Sequence, residues 1–261
     1  MDSMKVMERL RAIRLEKERV AVSLLSLSFF VFLYTLAAFS SPAAWRPALG
    51  AMALCYGVAF LALASQWFWA RWFASGLAWS GTTLGIVSLV MVGWHPMLAV
   101  YGGLHALVLG MLAGPNMVAR FEMQAQWRER YAMDDFAVAR LRRVVTRAST
   151  ALPSLIFWAL APREGQGLWL VSALAMVCGT AGLTGILRMR TWGVLGLGVS
   201  ALLTLAGAAS LPLSSLAAGG WIRSVSWAGN MRPGVLFSAI LLLAAIAPLA
   251  GALRRAWRSC P

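Results

Sequence analysis

The stretch that decides the fold is Val20 to Ser40, VAVSLLSLSFFVFLYTLAAFS, 21 residues without one charged side chain. A helix of that length rises about 30 Å, the thickness of a bilayer's hydrocarbon core. The run exceeds the usual apolar segment of a cleavable signal, roughly 7 to 15 residues, and the flanking Glu16, Lys17, Glu18 and Arg19 mix acid with base. It therefore reads as a retained membrane anchor.

Seven more runs repeat the pattern along the chain: Ala48 to Trp67, Phe73 to Gly93, Met97 to Val118, Val144 to Ala161, Leu168 to Leu187, Trp192 to Leu211 and Gly234 to Leu253. The 261-residue chain is 60% hydrophobic and only 12% charged, with mean hydropathy +0.73. A soluble domain carries about 25% charged residues, so a water-soluble fold is excluded. The expected fold is an all-α integral membrane protein, a polytopic bundle of about eight transmembrane helices.

The fifth run is the exception, because its charge-free part begins only after Arg147 and it contains Pro153. Proline is tolerated where neighbouring helices cover the freed carbonyl, and Arg147 is expected to snorkel to the headgroups. Charge placement argues for keeping it. With eight spans, 19 of the 23 basic residues fall on one side of the membrane, and Arg46, Arg163, Arg223 and Arg232 fall on the other. The positive side faces the cytoplasm, so both termini are expected there. The net charge of +14 then reflects sidedness and attraction to anionic headgroups rather than a nucleic-acid partner. Only Lys5 and Lys17 are lysine, which with the abundant Ala, Gly and Trp suggests a GC-rich bacterial gene and hence the inner membrane.

The chain divides accordingly. Residues 1–19 form a cytoplasmic basic amphipathic segment, 20–118 a first four-helix half, and 119–149 a cytoplasmic basic amphipathic linker. Residues 144–253 form a second four-helix half, overlapping the linker, and 254–261 a cytoplasmic tail. Trp45, Trp67, Trp69, Trp72, Trp94, Trp158, Trp169, Trp192, Trp221 and Trp227 lie at or near span ends, as interfacial anchors do.

Gly81 and Gly85 in the third span, and Gly110 and Gly114 in the fourth, have the GxxxG spacing that lets helices approach closely in lipid. The short Trp94, His95, Pro96 connection makes these spans an antiparallel hairpin. Trp72, Gly76, Leu77 and Ser80 match Trp192, Gly196, Leu197 and Ser200 at a constant offset, which raises a parallel 4+4 repeat.

Chemistry is sparse. None of the nine acidic residues falls inside a span, which argues against a carboxylate proton relay or a di-acidic metal site. Two histidines without a nearby carboxylate are a poor metal set. No phosphate-binding loop, nucleophile elbow or zinc motif occurs, so neither enzyme activity nor a cofactor is expected. His105, the ionisable side chain well inside a span, reads first as a neutral ring hydrogen-bonded to a Ser or Thr of another helix. Its alternative is contact with a solute, together with Tyr101 and with Asn116 in the Gly114, Pro115, Asn116 break; Thr82 and Thr83 are further polar neighbours.

Ala119 to Ser149 is too long and polar to be a plain turn. Asp134 and Asp135 suit a helix N-terminus. Beyond them Val138, Leu141, Val145 and Ala148 share one helical face, with Arg140, Arg143 and Arg147 on another. The N-terminal segment repeats this with Met7, Leu10 and Ile13. Such helices either lie on anionic headgroups or dock a partner. The docking reading makes Leu10, Ile13, Val138, Leu141, Val145, Arg140, Arg142 and Arg143 a partner surface, and the chain a non-enzymatic membrane protein that anchors or regulates a cytoplasmic or membrane protein. The alternative is a permease or channel for a small neutral or lipophilic solute near His105. A lipid-acting enzyme using Arg71, Arg188 and Arg190 on a phosphorylated headgroup lacks a nucleophile. The loop Pro212 to Pro233 reads as an interfacial segment.

Overall fold

The computed structural model describes residues 16–162, 169–210 and 231–258. Leu10, Ile13, Glu164, the loop 212–230 and Cys260 lie outside them. All regular structure among the described residues is helical. The order is α1 (Glu16–Ser40), a 3-10 turn (Ala43–Trp45), α2 (Arg46–Ala64), α3 (Ala70–Val92), α4 (Pro96–Leu112), α5 (Pro115–Glu122), α6 (Ala125–Arg130), α7 (Asp135–Leu160), α8 (Trp169–Leu187), α9 (Trp192–Ser210) and α10 (Met231–Arg258).

Among the described residues five helices are long and apolar enough to cross a membrane: α1, α2 with its preceding turn, α3, α8 and α9. This fits a multi-pass membrane protein. The expected fourth span, Met97 to Val118, is broken: α4 stops at Leu112 and α5 leaves at 75°. Gly114 adopts φ +97, a conformation open mainly to glycine, and Pro115 starts α5 where its missing N–H costs nothing. The α3–α4 hairpin is as expected. Gly93 closes α3 with φ +90, and Pro96 opens α4.

The fifth expected span and the amphipathic linker are one helix. Asp134 caps it by accepting from Ala137 N at 2.6 Å, and α7 then runs through Pro153 to Leu160. Its second half is almost wholly buried, from Val144 to Trp158. A helix enclosed by others need not be as apolar as one facing lipid, which explains its weak hydropathy.

The helices close into two rings of four. In the first, α1 and α3 each pack on α2 and α4; in the second, α7 and α9 each pack on α8 and α10. The rings join where α7 meets α3 and, less extensively, α2. Gly76 makes the close approach, since a Cβ there would overlap Ser149 Oγ and fall 2.5 Å from the Thr146 carbonyl. Cross-contacts set the directions. Tyr34 meets Tyr101 and Arg19 meets Ala113, so α1 and α4 are antiparallel. Ser238 meets Ala151 and Arg147 meets Ala244, so α7 and α10 are too. The described ends of α1 and α10 consequently share one end of the bundle with α5, α6 and the start of α7. Arginines gather there, making it the basic end of the bundle.

Glycine spacing succeeds in one helix and fails in the next. Gly81 accommodates His105, and Gly85 meets Gly102 Cα. Gly110, however, faces open space, and Gly114 forms the break rather than a packing face. Three tryptophans expected at the interfaces are instead core residues: Trp69, Trp72 and Trp158.

Candidate functional site

Three clusters carry the polar chemistry. The first lies midway along the first ring. His105 is 1% exposed, and its Nδ1 lies 2.8 Å from the Tyr101 carbonyl, one turn back on α4. A carbonyl only accepts, so Nδ1 carries the proton and Nε2 accepts from Tyr56 Oη at 2.6 Å. A buried imidazolium with no carboxylate beside it would be costly, so the ring is neutral, and both nitrogens are used. Tyr34 and Tyr101 hydroxyls pair at 3.0 Å, Phe30 lies over the imidazole with centroids 3.9 Å apart, and Gly81 leaves the ring its space. Aromatic rings from α1 and α2 and the backbone of α3 fill the surroundings. Sequence reasoning expected a Ser or Thr partner, and the structure supplies tyrosine.

The second cluster sits at the basic end. Glu122, 5% exposed at the close of α5, accepts through Oε1 from Arg71 Nε at 2.9 Å, from Arg71 Nη2, and from Trp72 Nε1 at 2.7 Å. Its Oε2 accepts from Arg142 Nη1 of α7 at 3.3 Å. A buried carboxylate needs such partners, because an isolated one is prohibitively costly to desolvate. Met117 and Phe121 bury the same face of α5 and carry Glu122 inward. That i, i+4 apolar pair was the available sequence signal, and an acid in a polar segment gave no reason to follow it.

Arginines also complete the broken backbone here. Arg71 Nη1 donates to the Leu112 carbonyl at 3.1 Å, and Arg19 Nη2 donates to Gly110 at 2.9 Å and to Ala113. These carbonyls lie in the last turn of α4 and just beyond it, where the helix stops supplying donors; the Gly110 carbonyl also accepts from Ala113 N at 3.4 Å. The break therefore offers guanidinium-occupied oxygens rather than ligands for a solute. Arg147 acts alike: Pro248 has no N–H for the Ala244 carbonyl of α10, and Arg147 Nη1 supplies a donor at 2.5 Å. The expected snorkelling of Arg147 to the headgroups is replaced by this inter-helix bond.

Between α3, α4 and α7, beside Glu122, lies an open cavity of about 460 Å³. Its lining includes Arg71, Trp72, Ser75, Trp79, Leu109, Ala113, Arg142 and Thr146.

The third cluster is the first three turns of α7. Val138, Leu141 and Val145 are buried in the chain's own core. The apolar face expected to meet a partner is covered internally, because the amphipathic stretch is the start of a central helix and packs on its own bundle. Arg142 belongs to the Glu122 cluster. Outward, at i, i+4 and i+7, stand Phe136, which is 75% exposed, half-buried Arg140 and exposed Arg143. Of the solute candidates, the structure brings together His105 and Tyr101; Asn116 is exposed on α5, beyond the bend. Thr82 Oγ1 is buried with no hydrogen-bond partner among the described residues. No group of three metal-ligating side chains occurs among them either.

No family model, characterised protein or solved structure matches this chain.

Proposed function

We propose that this chain is a non-enzymatic multi-pass membrane protein of eight spans, with both termini in the cytoplasm, whose basic end anchors or regulates a protein partner. The observation that carries the reading is the outward stripe of Phe136, Arg140 and Arg143 on α7. An exposed aromatic flanked by arginines at the polar end of a buried helix has the composition of a contact centre, where aromatic and Arg side chains are enriched. The eight-span count is supported by α7 and α10, which satisfy hydropathy poorly yet close the second ring. Sidedness rests on the gathering of arginines at the basic end.

The permeation reading is weaker. His105 and Tyr101 are enclosed by rings, and arginines occupy the carbonyls of the α4 break. A 4+4 duplication draws on the identical order of the two rings. Against it, Gly76 approaches α7 whereas its match Gly196 approaches α8.

The test is a photo-crosslinking amino acid at position 143 of the full chain in its native membrane. The reading expects one discrete protein adduct, lost when Phe136→Ser and Arg140→Glu are combined, and none from the same probe at lipid-facing Leu25. Lipid adducts alone at position 143 would overturn it.

A further inference from the structure

The cavity between α3, α4 and α7 belongs neither to the packed histidine cluster nor to the outward stripe of α7. It is about 460 Å³, within the range of small-molecule sites, roughly 300 to 1,000 Å³. Its two ends differ chemically. At the basic end lie Arg71 and Arg142, and Arg19 is bound to the carbonyls of the lining residues Gly110 and Ala113. Arg71 and Arg142 share one carboxylate, Glu122, and Arg19 is bound to neutral carbonyls, which leaves the end net cationic. The Gly110, Leu112 and Ala113 carbonyls already accept from arginine, so the site presents donors. The Arg142 side chain is 43% exposed, and its bond to Glu122 leaves most of its N–H groups available.

Deeper in the bundle the lining becomes Leu109, Trp79, Ser75 and Thr146. Trp79 is 53% exposed on the outer surface of α3. From Arg71 to Trp79 is eight residues along one helix, a rise of about 12 Å. The cavity thus runs from a cationic, donor-rich end into an apolar groove that opens outward past Trp79 and Ala113.

We infer that this cavity binds a phospholipid with a net anionic headgroup, its phosphate against Arg142 and the first part of an acyl chain along Trp79 and Leu109. Charge complementarity selects the head, since guanidinium groups donate well to phosphate oxygens. The lateral opening among lipid-facing residues selects an occupant that arrives from the membrane. A soluble phosphate compound would satisfy the cationic end and leave the groove empty.

The test uses the purified full-length protein in a neutral detergent, with tryptophan emission quenched by lipids brominated on the acyl chain. Brominated phosphatidylglycerol, brominated phosphatidylcholine and inorganic phosphate are titrated separately, the last as a competitor. Saturable quenching is expected from phosphatidylglycerol at concentrations about tenfold below phosphatidylcholine, and Trp79→Phe should remove it. Arg142→Gln should weaken phosphatidylglycerol about fivefold, as expected for one arginine near a headgroup. Because Arg142 also touches Glu122, Thr146→Leu provides a second variant that obstructs the groove and leaves every Glu122 partner in place; it too should weaken binding. Equal quenching by the two lipids would overturn the inference. So would quenching unchanged by both Arg142→Gln and Thr146→Leu, or complete competition by inorganic phosphate at lipid-like concentrations.

Discussion

The two rings are held together by different means. In the first, the centre is a hydrogen-bonded aromatic set: His105 pairs with Tyr56 and Tyr34 with Tyr101, Tyr34 stacks on Tyr56, and Phe30 packs against the imidazole. In the second, the closest helices meet through backbone. A Cβ at Gly182 of α8 would lie 2.5 Å from Leu197 N, and one at Gly193 of α9 would lie 2.6 Å from the Gly182 carbonyl. Ser200 Oγ also crosses that interface, donating to the Ala175 carbonyl at 2.7 Å. Lipid gives apolar surfaces no incentive to associate, so helices need either satisfied polar contacts or close packing of small residues. Each ring relies mainly on one of these, and the two should fail differently.

The largest effect is expected from Gly193→Leu. The helix backbones leave no room for the side chain, so overpacking should exceed about 3 kcal/mol and abolish the folded peak in size-exclusion chromatography. If Gly193→Leu elutes and melts like the parent, α8 and α9 are not in this contact. Next is Glu122→Ala at the joint between rings, which leaves Arg71 partly buried without its carboxylate. A loss of about 3 to 5 kcal/mol is expected from breaking such a pair, read as a lowered midpoint in thermal unfolding in detergent. Pairing it with Arg71→Met should recover part of that loss, and strict additivity would deny the ion pair.

In the first ring, Tyr56→Phe removes one hydrogen bond and leaves His105 Nε2 unpaired, a cost of about 1 to 3 kcal/mol. The same thermal measurement checks it, and no change would mean that the imidazole has another donor. The smallest effect should come from Gly110→Ala, which meets open space and is expected to shift stability by less than about 1 kcal/mol. Gly85→Ala, opposite Gly102 Cα, should cost more; the reverse order would mean that α4 packs through its other face.

Runs such as Val20 to Ser40 were legible because α1 turns apolar residues toward both lipid and neighbouring helices, so every position obeys one rule. α7 was harder to read. Surrounded by protein, it tolerates Arg142, Arg143 and Arg147 near a buried face, and its periodicity reveals that a face is covered without saying by what. Val138, Leu141 and Val145 therefore suited an outside partner as well as the chain's own core. The cap at Asp134 was readable because it is local. Glu122 and the tyrosine set were not, since their partners lie tens of residues away and no short-range pattern links them.

The proposed role of α7, an inner helix whose polar edge is assigned to the cytoplasmic side, is tested most directly by cysteine accessibility. In a chain with Cys55, Cys178 and Cys260 replaced by serine, Arg143→Cys and Val145→Cys would each be exposed to a membrane-impermeant maleimide, in right-side-out and in inverted vesicles. Position 143 should label only in inverted vesicles, and position 145 in neither until the protein is denatured. Labelling of position 145 in the native state, or of position 143 from the outside, would contradict the assignment.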